Sequence, residues 1–215
     1  MRISHQQKFV MISVPKTGST TLRKFLDPLS DIMSNGSNKS PYYDHTTASL
    51  LKNHFITKEW NWNEYFKFGF VRNPWDWMVS HWFYRAKFID DHEHTQHQMN
   101  TWSLNFLHAC QFQFANTNDF GDWCLKYGLN EFKNQSEWLY SDDGDCLVDY
   151  VGKIENFQDS FDLICENIGL DKKNLSVRNK TKHANYTSYY TLDVKNAVAN
   201  KFSRDIDLFG YTFEQ

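Results

Sequence analysis

The chain has 215 residues, 40% apolar and 17% aromatic, and its 23 Lys and Arg against 26 Asp and Glu leave a net charge of −3. This length fits one α/β domain over residues 1–215, with a sizeable core that must be rich in Phe, Tyr and Trp. The small negative charge and the absence of a polybasic block exclude a general nucleic-acid or anionic-membrane binder. Any anion is therefore expected at a local cluster.

From Met1 to Lys8 there is no apolar core of a signal peptide, and no stretch has the apolar length that spans a bilayer. The expectation is a soluble, cytoplasmic or otherwise unanchored protein. The first strong signal is the run Phe9-Val10-Met11-Ile12-Ser13-Val14, which stops at Pro15-Lys16-Thr17-Gly18. Behind this turn, Leu22, Phe25, Leu26 and Leu29 recur at helical spacing. A strand, a tight loop and a helix amino terminus form a phosphate site, because the first helical N–H groups have no partner and the dipole favours an anion. Lys16 adds positive charge, Thr17 completes the loop, Gly18 permits close approach, and Ser19, Thr20 and Thr21 offer hydroxyl donors. The lysine precedes the only glycine, whereas a triphosphate loop requires Gly, four residues, then Gly-Lys-Ser/Thr.

Ser30 to Pro41 reads as a loop over the active face. Tyr42-Tyr43-Asp44-His45 then leads into a short helix at Thr46 to Leu51 with a Thr or Asp cap. A second buried strand, Phe66 to Val71, ends in Arg72-Asn73-Pro74, where Asn73 suits an N-cap and Pro74 the first helical position. The helix that follows sets Trp75, Met78, Val79 and Trp82 on one face and Asn73, Asp76 and Ser80 opposite. Arg72 and Ser80 are thereby expected at one site, on the carboxyl side of the strands.

Residues 86–145 are the least legible, with helices expected near Met99 to Cys110 and Asp119 to Tyr127. A third strand is expected at Leu147 to Ile154, then a helix carrying Phe157, Phe161, Ile164 and Ile168 and closed by Gly169. A polar loop, Val177 to His183, precedes a last helix at about Thr191 to Phe202. Cys110, Cys124, Cys146 and Cys165 form no C-x-x-C pair and read as buried reduced thiols. Five of the nine histidines fall in residues 81–108, including His92, His94 and His97, and read as a solvated polar loop rather than a metal site.

The chain resembles the sulfotransferases that use 3′-phosphoadenosine 5′-phosphosulfate (PAPS), in particular the carbohydrate branch and its soluble bacterial-type members. Pro15-Lys16-Thr17-Gly18-Ser19-Thr20-Thr21 resembles the family's 5′-phosphosulfate loop. Phe68-Gly69-Phe70-Val71-Arg72-Asn73-Pro74-Trp75-Asp76, with Ser80, resembles its 3′-phosphate motif. Weaker likenesses run through His45-Thr46-Thr47-Ala48, Tyr150 to Asn156 and Asn179 to Tyr190. The resemblance implies an α/β fold, a mainly parallel sheet flanked by helices of the P-loop nucleoside-kinase-like type. It also implies PAPS as donor, no required metal, and a hydroxyl acceptor on a saccharide.

The residue chemistry agrees with that implication. Sulfuryl transfer needs attacking and leaving oxygens in line and the equatorial oxygens stabilised. Lys16 suits the leaving oxygen, Arg72 with Ser80 suits a 3′-phosphate, and a hydroxyl acceptor needs a base near neutral pH. His45 is the first candidate for that base, Asp44 orients or replaces it, and Glu64, Glu137 and His183 stand next. The alternatives weighed are a P-loop phosphotransferase and a nucleotide- or glycan-binding module without turnover. Acceptor, linkage and oligomeric state are not encoded in these motifs.

Overall fold

The computed structural model describes residues 1–34, 41–90, 115, 119–175 and 184–214. The expected helix near Met99 to Cys110, His92, His94 and His97, Cys110, the centre of the Ser30 to Pro41 loop and the loop through His183 lie outside these residues.

In chain order the elements are β1 (Arg2–Ser4), β2 (Phe9–Ile12), α1 (Ser19–Leu26), β3 (Ile32–Met33), α2 (Ala48–Thr57), β4 (Phe66–Val71) and α3 (Pro74–Asp90). They continue with β5 (Tyr150–Lys153), α4 (Phe157–Ile168), α5 (Leu192–Lys201) and α6 (Ser203–Phe209). Shorter turns intervene. The chain divides into two compact units, Met1–Arg72 with Asn134–Lys180, and Asn73–Lys133 with Thr181–Gln215.

The first unit is a five-stranded sheet in the order β3-β1-β2-β4-β5. β2 runs parallel to β4 and β4 parallel to β5, while β1 is antiparallel to both β2 and β3. The expected mainly parallel sheet is therefore mixed. The cause is local: the short link between β1 and β2, with Lys8 at φ 52, can join only antiparallel neighbours. Strands as short as β1 and β3 leave no periodic signal in the sequence.

On one sheet face, Phe9, Met11, Phe68 and Phe70 pack against Leu22 and Leu26 of α1 and Phe157, Phe161, Ile164 and Ile168 of α4. The expected stripes of both helices are thus the ones buried, with Phe25 and Leu29 partly so. Gly169 closes α4 in the left-handed conformation, φ 70. α2 is capped by Thr47, whose hydroxyl accepts the Leu50 N–H at 3.3 Å. Its Phe55 meets Trp60, Trp62 and Tyr65 edge to face.

The second unit is built on α3. Asn73 Oδ1 accepts the Trp75 N–H at 3.1 Å, so the N-cap and the Pro74 start are as expected. The helix is not amphipathic: Trp75, Trp77, Met78, Val79, Ser80, His81 and Arg85 are all buried. Phe120 and Trp123, with Val194 and Val198 of α5 and Phe202, complete that core. Tyr84 is the helix's exposed position among those described, and the buried charge of Arg85 is paired internally. Arg85 forms an ion pair with Glu131, donates to His81 Nδ1 at 3.1 Å and lies over the Phe132 ring. The helix expected from Asp119 is a single turn, Phe120–Trp123, followed by a π-helical run, Cys124–Gly128. Cys124 and Cys165 are buried free thiols, whose pKa values burial pushes up to about 12 and about 11; Cys146 is free but exposed, contrary to expectation. Among the described residues no helix is long and apolar enough to cross a membrane.

A tight seam between strands is at Gly152, where an added Cβ would lie 2.7 Å from Phe70 Cε1 in the paired strand. Gly152→Ala should destabilise the fold by about 1–3 kcal/mol, the usual range for overpacking a core. Chemical denaturation would show this as a lower midpoint with an unchanged slope.

Candidate active site

The phosphate loop forms where β2 ends. Ser13 and Val14 continue the buried strand, and Thr17 Oγ1 donates back to the Val14 carbonyl at 3.0 Å, closing the turn on itself. Lys16 and Gly18 both take left-handed backbone conformations, φ 60 and φ 77. For Lys16 this costs roughly 1–2 kcal/mol. Gly18 is required twice over, since a Cβ there would also lie 2.6 Å from Ile154 Cδ1. Its small size therefore serves packing beneath the loop as well as access to it.

No side chain caps α1 at Gly18, and its first turn contains no acidic residue. The Thr21 N–H bonds to the Gly18 carbonyl at 3.0 Å. The amino end of α1 thus presents backbone donors and the positive end of the dipole to whatever lies in front of it. Ser19 and Thr21 are buried and Thr20 is exposed, so the expected row of hydroxyls is spread around the helix rather than gathered. The Thr17 hydroxyl hydrogen is already engaged within the loop.

Arg72 follows the last residue of β4, which runs beside β2. Its guanidinium Nη1 lies 3.4 Å from the Lys16 carbonyl, so the two cationic motifs meet on one sheet edge. Its main chain is gripped from outside the sheet: the N–H donates to Gln135 Oε1 at 2.9 Å, and Gln135 Nε2 donates to its carbonyl at 2.7 Å. Lys153 ends β5 opposite Val71, so its backbone reaches the same carboxyl edge. Sequence reading passed over Lys153, although it closes a strand just as Arg72 does. Ser80 is buried in α3, within the second unit.

His45 also stands at this edge. Its Nδ1 lies 2.8 Å from the Ser13 carbonyl, which can only accept, so Nδ1 carries the proton and the neutral ring keeps its lone pair on Nε2. Its own carbonyl accepts the Trp138 indole N–H at 2.9 Å. Burial lowers the His45 pKa below 6.5, and the Ser13 carbonyl offsets this only in part. The neutral, proton-accepting form consequently persists to lower pH than in an ordinary histidine. Two buried hydroxyls beside this contact, Ser13 Oγ and Thr46 Oγ1, have no hydrogen-bond partner among the described residues. Each such orphan costs about 1–3 kcal/mol, which a bound polar group can recover.

Asp44 does not hold the His45 ring. Its Oδ1 accepts from Arg23 Nη1 at 2.7 Å and from the Ser34 hydroxyl. Burial acts to raise its pKa, but these two partners prevail and hold it below the usual carboxylate value. Glu64 pairs with Lys8 before β2 and β4 begin, at the opposite end of the strands. Glu137 accepts the Asn134 N–H at 2.9 Å and serves as a cap. Among the described residues no cluster of three or more His, Cys, Asp or Glu could hold a metal ion.

Compared with known proteins, residues 1–212 match the model of the sulfotransferase family. No curated protein and no solved structure matches the chain.

The His45 geometry is directly measurable. Nitrogen-resolved NMR should show one neutral tautomer, protonated at Nδ1, with a titration midpoint below 6.5. A midpoint at or above that value, or a mixture of tautomers, would show that the ring is not held as described.

Proposed function

The chain belongs to the sulfotransferase family, and from that premise we propose that it transfers a sulfuryl group from PAPS to a hydroxyl on a saccharide. In this reading residues 1–215 act as one domain of the P-loop nucleoside-kinase-like type. The observation that carries the proposal is the approach of the Arg72 guanidinium to the Lys16 carbonyl, 3.4 Å, which sets two cationic motifs side by side. The donor carries phosphates at both ends of its ribose, and two adjacent cationic motifs match that charge pattern.

The residues fit the donor group by group. The loop amides and the amino end of α1 take the 5′-phosphosulfate, with Ser19, Thr20 and Thr21 adding hydroxyls where they reach. Arg72 takes the 3′-phosphate through its planar fork of donors. As the acceptor oxygen attacks sulfur, the bond from sulfur to the bridging oxygen breaks and the nucleotide leaves. His45 Nε2 removes the hydroxyl proton, and the Lys16 ammonium offsets charge growing on the leaving oxygen. With the lysine and amides in that role, no metal is required. The retained left-handed Lys16 supports this reading, because strained backbone is kept where the surroundings over-determine it.

The test separates donor recognition from chemistry. Arg72→Ala should weaken 3′-phosphoadenosine 5′-phosphate binding by about 2–4 kcal/mol while leaving adenosine 5′-phosphate binding nearly unchanged, as calorimetry would read. Lys16→Ala should lower kcat roughly 100-fold or more on an acceptor found by screening saccharides with labelled donor, with a smaller loss of nucleotide affinity. Equal losses for both nucleotides, or turnover that survives in Lys16→Ala, would overturn the assignment. Transfer of phosphate from ATP would favour a phosphotransferase instead.

A further inference from the structure

The short turn Gln135–Trp138 touches both ends of the candidate site. It is a 3₁₀ turn, so residues 135 and 138 stack on the same side of it. Gln135 is fully buried and gives both its amide groups to the main chain of Arg72, as a neighbouring strand would. Trp138 gives its indole N–H to the carbonyl of His45.

The turn itself is firmly seated. Asn134 and Glu137 cap its start, and the N–H groups of Leu139 and Tyr140 both bond to the Ser136 carbonyl, at 2.9 and 2.8 Å. Leu139 is fully buried against β4 at Gly69, where a Cβ would lie 2.6 Å from Leu139 Cδ2. The absence of a side chain at Gly69 is what lets the turn press onto the strand that ends in Arg72.

We propose that Gln135 and Trp138 are positioning residues, which set the distance and angle between the anion-binding Arg72 and the proton-accepting His45. The inference rests on the sulfotransferase reading above. Neither residue touches the reacting atoms. Each acts through a main chain: Gln135 sets the rotation at which Arg72 leaves the sheet, and Trp138 fixes the peptide that carries the His45 ring. Displacing a reacting group by about 1 Å can cost on the order of 100-fold in rate, so a rigid spacer between two functional groups has a large effect.

The test uses two variants of the whole chain and two readouts that plain destabilisation would leave alone. Gln135→Met keeps the length and removes both hydrogen bonds. It should reduce the preference for 3′-phosphoadenosine 5′-phosphate over adenosine 5′-phosphate by roughly tenfold or more, because Arg72 is no longer aimed. Trp138→Phe keeps an aromatic ring but removes the N–H together with part of the indole's bulk. It should leave that preference intact and replace the single Nδ1–H tautomer of His45 by a mixture, read by nitrogen-resolved NMR without any acceptor. If the wild-type chain does not prefer the 3′-phosphate at all, the sulfotransferase reading falls and this inference with it. If the wild type shows the preference, and both variants keep the wild-type preference and tautomer while only melting lower, the turn is structural and this inference alone is wrong.

Discussion

The site depends first on a backbone constraint, the paired left-handed residues Lys16 and Gly18 at the end of β2. Between β2 and α1 the chain takes the left-handed conformation at positions 16 and 18. The result sends α1 back across the sheet, with Leu22 and Leu26 on Phe9, Met11 and Phe68. The same reversal turns the unpaired N–H groups of α1 toward the carboxyl edge. Gly18 meets the geometric demand without cost, and the missing Cβ makes room for Ile154 and Phe157 below it. Lys16 meets it with strain, which the surrounding packing and the Thr17 bond to Val14 hold in place.

The parallel register supplies the second condition. β2, β4 and β5 run side by side, so Ser13 and Arg72, which follow β2 and β4, and Lys153, which ends β5, come out along one edge although they are far apart in the chain. A net charge of −3 over the whole molecule says nothing of how basic residues are distributed locally. At this edge the Arg72 guanidinium lies 3.4 Å from the Lys16 carbonyl, so two basic residues from distant parts of the chain come together.

Much of this edge was legible because its signals are local. The apolar run before Pro15, the spacing of Leu22, Phe25, Leu26 and Leu29, the Asn73 cap with Pro74, and the Gly169 stop all depend on neighbours within a turn or two. Gln135 and Trp138 were not legible, because their partners, Arg72 and His45, are distant in sequence and a buried glutamine looks like any polar residue. The polar face expected on α3 failed for a related reason. Periodicity reports one buried face, whereas the second unit surrounds α3 and buries Asn73, Ser80, His81 and Arg85 as well. The expectation that Asp44 orients the His45 ring rested on adjacency in sequence, and the fold turns its carboxylate to Arg23 and Ser34 instead.

The carboxyl edge described above is formed by β2, β4 and β5, and the antiparallel strands β1 and β3 lie on the far side of β2. These two strands instead carry the anchors of the segment that presents His45. Arg2 in β1 pairs with Asp27 and donates to Ser34 Oγ at 3.0 Å, just after β3. Ser34 in turn donates to Asp44, which Arg23 of α1 holds from the other side. The chain from Asp44 to His45 is therefore tied to the antiparallel edge by its carboxylate, while the imidazole reaches the parallel edge at Ser13. A purely parallel sheet would leave that segment without its Arg2–Ser34 support. These contacts are partly buried, and together they hold the peptide that carries the ring of His45.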